Sequence, residues 1–160
     1  MNAAHIHLIF NHFPIVGGMM VLALLAWGWL RRNDSIIRAA CGLFVALALL
    51  TVVTYLSGEP AEHVLERTSK VPENLVSPHE EAAEFALILY SALGLLSLFT
   101  LVRYARREVP RVLSTVLLVV ALVSVVVAGR VGWLGGEIKH DEVRSGVAAP
   151  VVGGSEQDDD

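Results

Sequence analysis

Four long apolar runs divide this chain and constrain its fold more than any other feature. They cover residues 6–30, 36–56, 85–102 and 112–134. Each is about long enough to cross a hydrocarbon core of ~30 Å. With 54% hydrophobic residues and a mean hydropathy of +0.60, the 160-residue chain is too apolar for a soluble domain of this size. We therefore expect an all-α integral membrane protein that folds as a four-helix up-down bundle.

Basic residues are distributed unevenly between the connections. The connections after the first and third runs hold seven arginines, which are Arg31, Arg32, Arg38, Arg103, Arg106, Arg107 and Arg111. The positive-inside rule places such connections in the cytoplasm. Both termini and the 57–79 loop are then expected outside, on the periplasmic face of a bacterial inner membrane. The first run has no basic segment before it, so we expect a retained multi-pass anchor rather than a cleaved signal.

The connections predict how the helices are arranged. The two arginine-rich connections are short, which favours antiparallel neighbouring helices. Ser57-Gly58-Glu59-Pro60 predicts a short amphipathic helix in the outer 57–79 loop. Ser77-Pro78-His79-Glu80 is a capping-box pattern, which predicts that the third long helix begins at its proline. We expect residues 1–146 to form the four-span membrane domain and residues 147–160 to be a flexible acidic tail.

All six histidines are predicted to lie at the outer end of the bundle. They are His5, His7, His12, His63, His79 and His140. Ionisable residues within membrane spans are costly and mark functional sites, so this end is expected to bind a ligand. His5 and His12 are seven residues apart and share a helix face, whereas His7 points about 140° away from His12. The first helix can therefore present imidazoles to two neighbours.

Three further charged residues accompany the histidines. Glu84 and Arg130 lie at similar depths in the third and fourth runs, where charges should be paired or hydrated. One interpretation is an ion pair that joins two helices. The other is that Glu84 orients a histidine or relays protons, while Arg130 holds an anionic cofactor group such as a propionate. Glu137 stands three residues before His140, a pattern found in carboxylate-bridged metal bundles. Glycines at this depth favour either close helix packing or space for a flat macrocycle.

Imidazole chemistry limits the candidate cofactors. Neutral imidazole suits haem iron, zinc, copper and non-haem iron. The single Cys41 excludes an internal disulfide and a cysteine-rich metal site, and no Cys-x-x-Cys-His motif is present for covalent haem attachment. A bundle with facing imidazoles suits non-covalent haem b. A zinc, copper or iron ion held by histidines and carboxylates is the alternative.

Four motifs resemble an uncharacterised family of small bacterial predicted membrane proteins. They are His7-Leu8-Ile9-Phe10-Asn11-His12-Phe13-Pro14, Gly58-Glu59-Pro60-Ala61-Glu62, His79-Glu80-Glu81-Ala82-Ala83 and Gly135-Gly136-Glu137-Ile138-Lys139-His140. The resemblance covers nearly the whole chain except the acidic tail. It implies a four-span inner-membrane protein. It also places His7, His12, His79 and His140 at motif positions, whereas His63 falls where the family pattern has an acid.

These observations predict a membrane-bound, b-type cytochrome-like electron-transfer protein or subunit with one or two haems near the periplasmic face. Helices 1 and 3 are diagonal in an up-down bundle, so His12 and His79 are expected to form one axial pair. His7 and His140 are expected to form a second site. His5, His63 and Glu137 are weaker candidate ligands.

The alternatives are a histidine/carboxylate metal protein or a cofactor-free accessory subunit of a membrane complex. The expected partners are the lipid bilayer and a periplasmic redox protein or larger respiratory complex, with no nucleic acid. An electron-transfer subunit is favoured over a stand-alone enzyme.

Overall fold

The computed structural model describes residues 3–68 and 73–140, which fold into helices. The elements are α1 (Ala3–Phe10), a π-helical turn (Phe13–Gly17), α2 (Gly18–Arg31), α3 (Asp34–Leu56), α4 (Gly58–Thr68), α5 (Glu73–Arg103) and α6 (Arg111–Lys139). Four helical segments are long and apolar enough to cross a membrane, judged by length and composition. The predicted acidic tail at 147–160 lies outside the described residues.

The four long segments form the up-down bundle that the sequence predicts. α2 packs against α3 and α6, and α5 also packs against α3 and α6, so α2 and α5 are diagonal. The Tyr90 hydroxyl on α5 donates a 2.5 Å hydrogen bond across the bundle to the Pro14 carbonyl oxygen. The first span can offer this carbonyl because Pro14 lies in the π-helical turn, where the regular α-helical ladder is interrupted. One hydrogen bond thus joins the diagonal spans.

Large apolar side chains lie both in the core and on the outer surface of the bundle. Leu25, Phe44, Tyr90, Leu93 and Leu117 are fully buried in its core. Large apolar side chains also cover the outer surface, including Leu56 at 69% exposure and Val102 at 75%. Such a surface is unfavourable in water but is the expected one where hydrocarbon is the solvent. The structure therefore agrees with a membrane-spanning bundle.

One end of the bundle carries the arginine-rich connections, and we call it the arginine end. The Asn33 side chain caps α3 by accepting hydrogen bonds from the backbone N–H groups of Ser35 (3.0 Å) and Ile36 (3.1 Å). The first residue of α3, Asp34, accepts a 3.1 Å hydrogen bond from the Val109 N–H in the other connection. The two connections are therefore joined to one another.

We call the opposite end of the bundle the histidine end. On three spans, a polar residue of this end lies at the same sequence distance from an arginine of the arginine end. Nineteen residues separate Arg31 from His12, Arg103 from Glu84, and Arg111 from Arg130. At 1.5 Å per residue this is about 28 Å, the thickness of a hydrocarbon core. His12, Glu84 and Arg130 are all exposed. A hydrocarbon core that begins at the arginines would therefore end near these three residues.

The helix ends differ from the sequence expectations at two places. α5 begins at Glu73, and Pro78 lies inside it rather than at its start. A proline so near a helix N-terminus removes only one hydrogen bond of the early turns, so the helix tolerates it. α6 continues beyond the apolar run that ends at residue 134, through Gly135 and Gly136 to Lys139, since a glycine within a helix costs only about 1 kcal/mol. The short outer helix predicted in the 57–79 loop is confirmed as α4.

Candidate functional site

His7 lies on α1 and is held by the end of α3. Its Nδ1 is 3.0 Å from the Thr54 carbonyl oxygen and 3.4 Å from Ser57 Oγ. The Ser57 hydroxyl donates its own proton to the Thr54 carbonyl at 2.8 Å. Both oxygens near Nδ1 therefore act as acceptors, so the imidazole carries its proton on Nδ1. The half-buried ring also lies beside Gly58, where an added Cβ would be 3.7 Å from His7 Cε1.

His79 lies on α5 and is held by α6 in the same manner. Its Nδ1 donates to the Val131 carbonyl oxygen at 3.1 Å. The ring packs over Gly135, where an added Cβ would be only 3.2 Å from His79 Cε1. A larger residue at position 135 would push the ring away. The absence of a side chain at Gly135 thus allows the imidazole to lie between the two helices.

His7 and His79 lie at the same end of the bundle, on spans that are diagonal to one another. In each imidazole the Nδ1–H is directed to a backbone carbonyl. The other ring nitrogen, Nε2, then carries the lone pair and is the atom that can ligate a metal. A hydrogen bond from Nδ1 to a carbonyl is the usual outer-shell support of a metal-bound histidine. We call these two residues the imidazole pair. The arrangement is chemically suited to coordinate a metal or to accept two hydrogen bonds.

Asn11 adds a polar atom one turn after His7. Its backbone N–H donates to the His7 carbonyl at 2.9 Å, so the two residues lie on the same side of the helical segment. Its Oδ1 is buried and has no hydrogen-bond partner in the described part of the chain. Leaving a buried acceptor unpaired costs roughly 1–3 kcal/mol. Sequence reasoning missed this residue, although it stands inside the first motif.

His12 is placed differently from the imidazole pair. It is exposed, and its Nδ1 lies 3.2 Å from the Leu8 carbonyl oxygen of its own helical segment. His7 and His79, in contrast, are half-buried. His5 and His63 are exposed on α1 and α4, and the exposed His140 ends α6. The pairings of His12 with His79 and of His7 with His140 stay predictions.

Glu84 and Arg130 lie on outward surfaces of their helices. Both are exposed, and no ion pair joins them in the ranges that the structure describes. Near the edge of a hydrocarbon core, exposed charged side chains can reach water and lipid headgroups, so neither would require a protein partner. Their roles as cofactor-binding residues stay predictions.

The glycines at this end position side chains. Gly58 and Gly135 lie under the two imidazoles, while an added Cβ at Gly132 would be 2.7 Å from Ile15 Cδ1. These contacts favour the packing interpretation for Gly132 and Gly135, whereas nothing lies within 4 Å of an added Cβ at Gly129 or Gly136. The sequence could not predict that the carbonyls of Thr54 and Val131 accept these hydrogen bonds, because a residue of any type can supply a backbone acceptor.

We expect Gly135→Ala to displace the His79 imidazole, because its new Cβ would lie closer to Cε1 than an ordinary contact. The adjacent Gly136→Ala is a matched control, since nothing lies within 4 Å of its added Cβ. ¹⁵N-histidine NMR, assigned with His79→Ala, measures the effect. Gly135→Ala should shift the Nδ1 and Nε2 resonances of His79, and Gly136→Ala should leave them in place. Equal spectra for both variants would contradict this packing.

The chain matches a known protein family over most of its length. The family described as "Predicted membrane protein (DUF2231)" matches residues 3–148. The chain belongs to this family. No curated protein and no solved structure matches it. The imidazole pair, Asn11 and both supporting glycines all lie within the part of this DUF2231 protein that the family covers.

Proposed function

We propose that this DUF2231 protein binds haem b through the imidazole pair and transfers electrons at the membrane boundary. The observation that carries the proposal is the geometry of His7 and His79. They lie on diagonal spans at the same end of the bundle, and each directs Nδ1–H to a carbonyl so that Nε2 can ligate. Bis-histidine ligation of haem requires two such imidazoles from facing helices.

The number of available ligands favours haem over a bare metal ion. Structural zinc takes four protein ligands and catalytic zinc takes three. In the described residues, no group of three or more histidine, cysteine or carboxylate side chains is arranged to hold a metal. A porphyrin supplies four nitrogens itself and needs two axial ligands from the protein. The imidazole pair supplies that number.

The position of the pair suits exchange of electrons with a partner in water. His7 is five residues beyond His12, and His79 is five residues beyond Glu84 on the outward side. At 1.5 Å per residue, both imidazoles lie about 7 Å beyond the hydrocarbon boundary, in the headgroup layer. A haem there would be accessible to a periplasmic redox protein or to a larger respiratory complex. The protein would then serve as an electron-transfer subunit.

A single metal ion is the second candidate, and Asn11 favours it. The unpartnered Asn11 Oδ1 lies one turn from His7 and is an oxygen donor. Two imidazoles and this amide oxygen would form a three-ligand set for zinc, copper or non-haem iron. Alternatively, the Asn11 oxygen accepts a hydrogen bond from water bound at the site.

The visible spectrum and cofactor content of purified full-length protein test these proposals. The proposed function predicts a low-spin Soret band, an α band and about one extractable haem per chain. About two haems per chain would instead support the two pairs predicted from the sequence, His12 with His79 and His7 with His140. A stoichiometric metal ion without haem would support the second candidate. If the protein is expressed with haem and metals supplied and still carries neither, the haem proposal and the metal proposal are both refuted. The remaining alternative is then the cofactor-free accessory subunit.

The arginine end is proposed to face the cytoplasm of a bacterial inner membrane, which places the imidazole pair on the periplasmic side. We test this with Glu59→Cys and Ala105→Cys, two exposed positions at opposite ends, in a Cys41→Ala background. A membrane-impermeant maleimide should label position 59 in intact cells and position 105 only after permeabilisation. The reverse pattern would invert the protein and place the histidines inside.

A further inference from the structure

The arginine end presents a concentrated positive surface that the proposed redox function does not use. Six exposed arginines come from the two connections and the adjoining helix ends, and they are Arg31, Arg32, Arg103, Arg106, Arg107 and Arg111. None of them forms an ion pair within residues 3–68 and 73–140. Of the nearby acids, Asp34 binds the Val109 N–H, and Glu108 is exposed. We call these six arginines the arginine patch.

Tertiary contacts join the two connections into one patch. Arg38 donates to the carbonyl oxygens of Tyr104 at 3.4 Å and Arg107 at 3.3 Å. Arg111 donates to the Trp29 carbonyl oxygen. Trp29 Nε1 in turn donates to Thr115 Oγ1 at 2.9 Å. Arginines that are about 75 residues apart in the sequence therefore lie on one rigid surface.

Aromatic rings hold three of the guanidinium groups at the membrane interface. Arg31 lies over Trp27 at 5.4 Å from the ring centroid, and Arg111 lies over Trp29 at 3.6 Å. Arg103 lies over the Tyr104 ring at 5.4 Å. Tryptophan and tyrosine prefer the level of lipid headgroups, and stacking orients the planar guanidinium. The charges are therefore positioned at the depth of lipid phosphates.

We propose that the arginine patch binds anionic phospholipid headgroups in the leaflet at this end of the bundle, with a two-phosphate lipid such as cardiolipin bound most tightly. Guanidinium groups bind phosphate oxygens through paired hydrogen bonds. A patch supplied by two joined connections offers several such donors, and no protein carboxylate neutralises the six arginines in the described chain. The positive-inside rule requires only that basic residues exist here, whereas lipid selectivity requires that they act together.

Nanodiscs containing the full-length protein test the proposal. Fluorescent cardiolipin is the probe, and unlabelled phosphatidylcholine, phosphatidylglycerol or cardiolipin in the disc competes with it for the protein. The amount of each competitor that displaces the probe measures its relative affinity. Each arginine near an anionic surface contributes about a fivefold change in affinity, so Arg106→Gln with Arg107→Gln should weaken binding by about 25-fold. The side chains of these two residues make no hydrogen bond within the described residues, so the bundle should stay folded.

Arg130→Gln is the matched control, because Arg130 is an exposed arginine at the histidine end. It should leave cardiolipin binding unchanged. Raised salt should weaken binding to the wild type more than to the double variant. Equal affinity for anionic and zwitterionic lipids, or an unchanged affinity in the folded double variant, would overturn the proposal. If phosphatidylglycerol binds as tightly as cardiolipin, the arginine patch still binds anionic lipid, but the proposed preference for a two-phosphate lipid is rejected.

Discussion

His79→Ala and His7→Ala are each expected to abolish the low-spin haem spectrum of this protein. Each variant removes one of two proposed axial ligands, and a six-coordinate low-spin iron cannot form with the other alone. The Soret and α bands should be lost or converted to a high-spin spectrum, and the haem content per chain should fall severalfold. Spectroscopy and haem extraction on the purified variants measure both effects.

His12→Ala and His63→Ala are matched controls for this prediction. Both residues are exposed histidines at the same end of the bundle, and His12 directs Nδ1 to its own helical segment. Each control variant should keep the wild-type spectrum. Loss of the spectrum in His12→Ala, together with its retention in His7→Ala, would instead support the axial pair of His12 and His79.

Gly94→Ala is expected to lower the stability of the bundle. The added Cβ would lie 2.5 Å from the Cβ of Ala48 on α3. Since an alanine Cβ cannot rotate away, α3 and α5 must separate. Overpacking of this kind costs roughly 1–3 kcal/mol of the free energy of unfolding. Close approach through small residues is also the main source of helix association in lipid.

Gly42→Ala is the matched control on α3, because nothing lies within 4 Å of its added Cβ. Detergent-titrated unfolding followed by circular dichroism compares the two variants. Gly94→Ala should unfold at a lower concentration of the denaturing detergent than the wild type, whereas Gly42→Ala should unfold at the same concentration as the wild type. Equal midpoints for the two variants would mean that α3 and α5 do not approach as closely as described.

Local sequence determined the spans and their order. The length of an apolar run and the turn residues between runs are properties of neighbouring residues, so four helices, an up-down order and the short helix α4 were predictable. Pro78 shows the limit of such reasoning. The capping pattern around it is compatible with a helix start, but α5 begins five residues earlier, at Glu73.

The partner of each histidine was decided by tertiary structure. The sequence by itself determined that the histidines gather at one end, because hydropathy determines which residues lie outside the hydrocarbon. It did not determine which groups hold each imidazole, since the carbonyl that His7 contacts lies 47 residues away in the sequence and the one that His79 contacts lies 52 residues away. The carbonyls of Thr54 and Val131, and the space above Gly135, likewise exist only when the helices are packed, because each belongs to a different segment from the imidazole it supports.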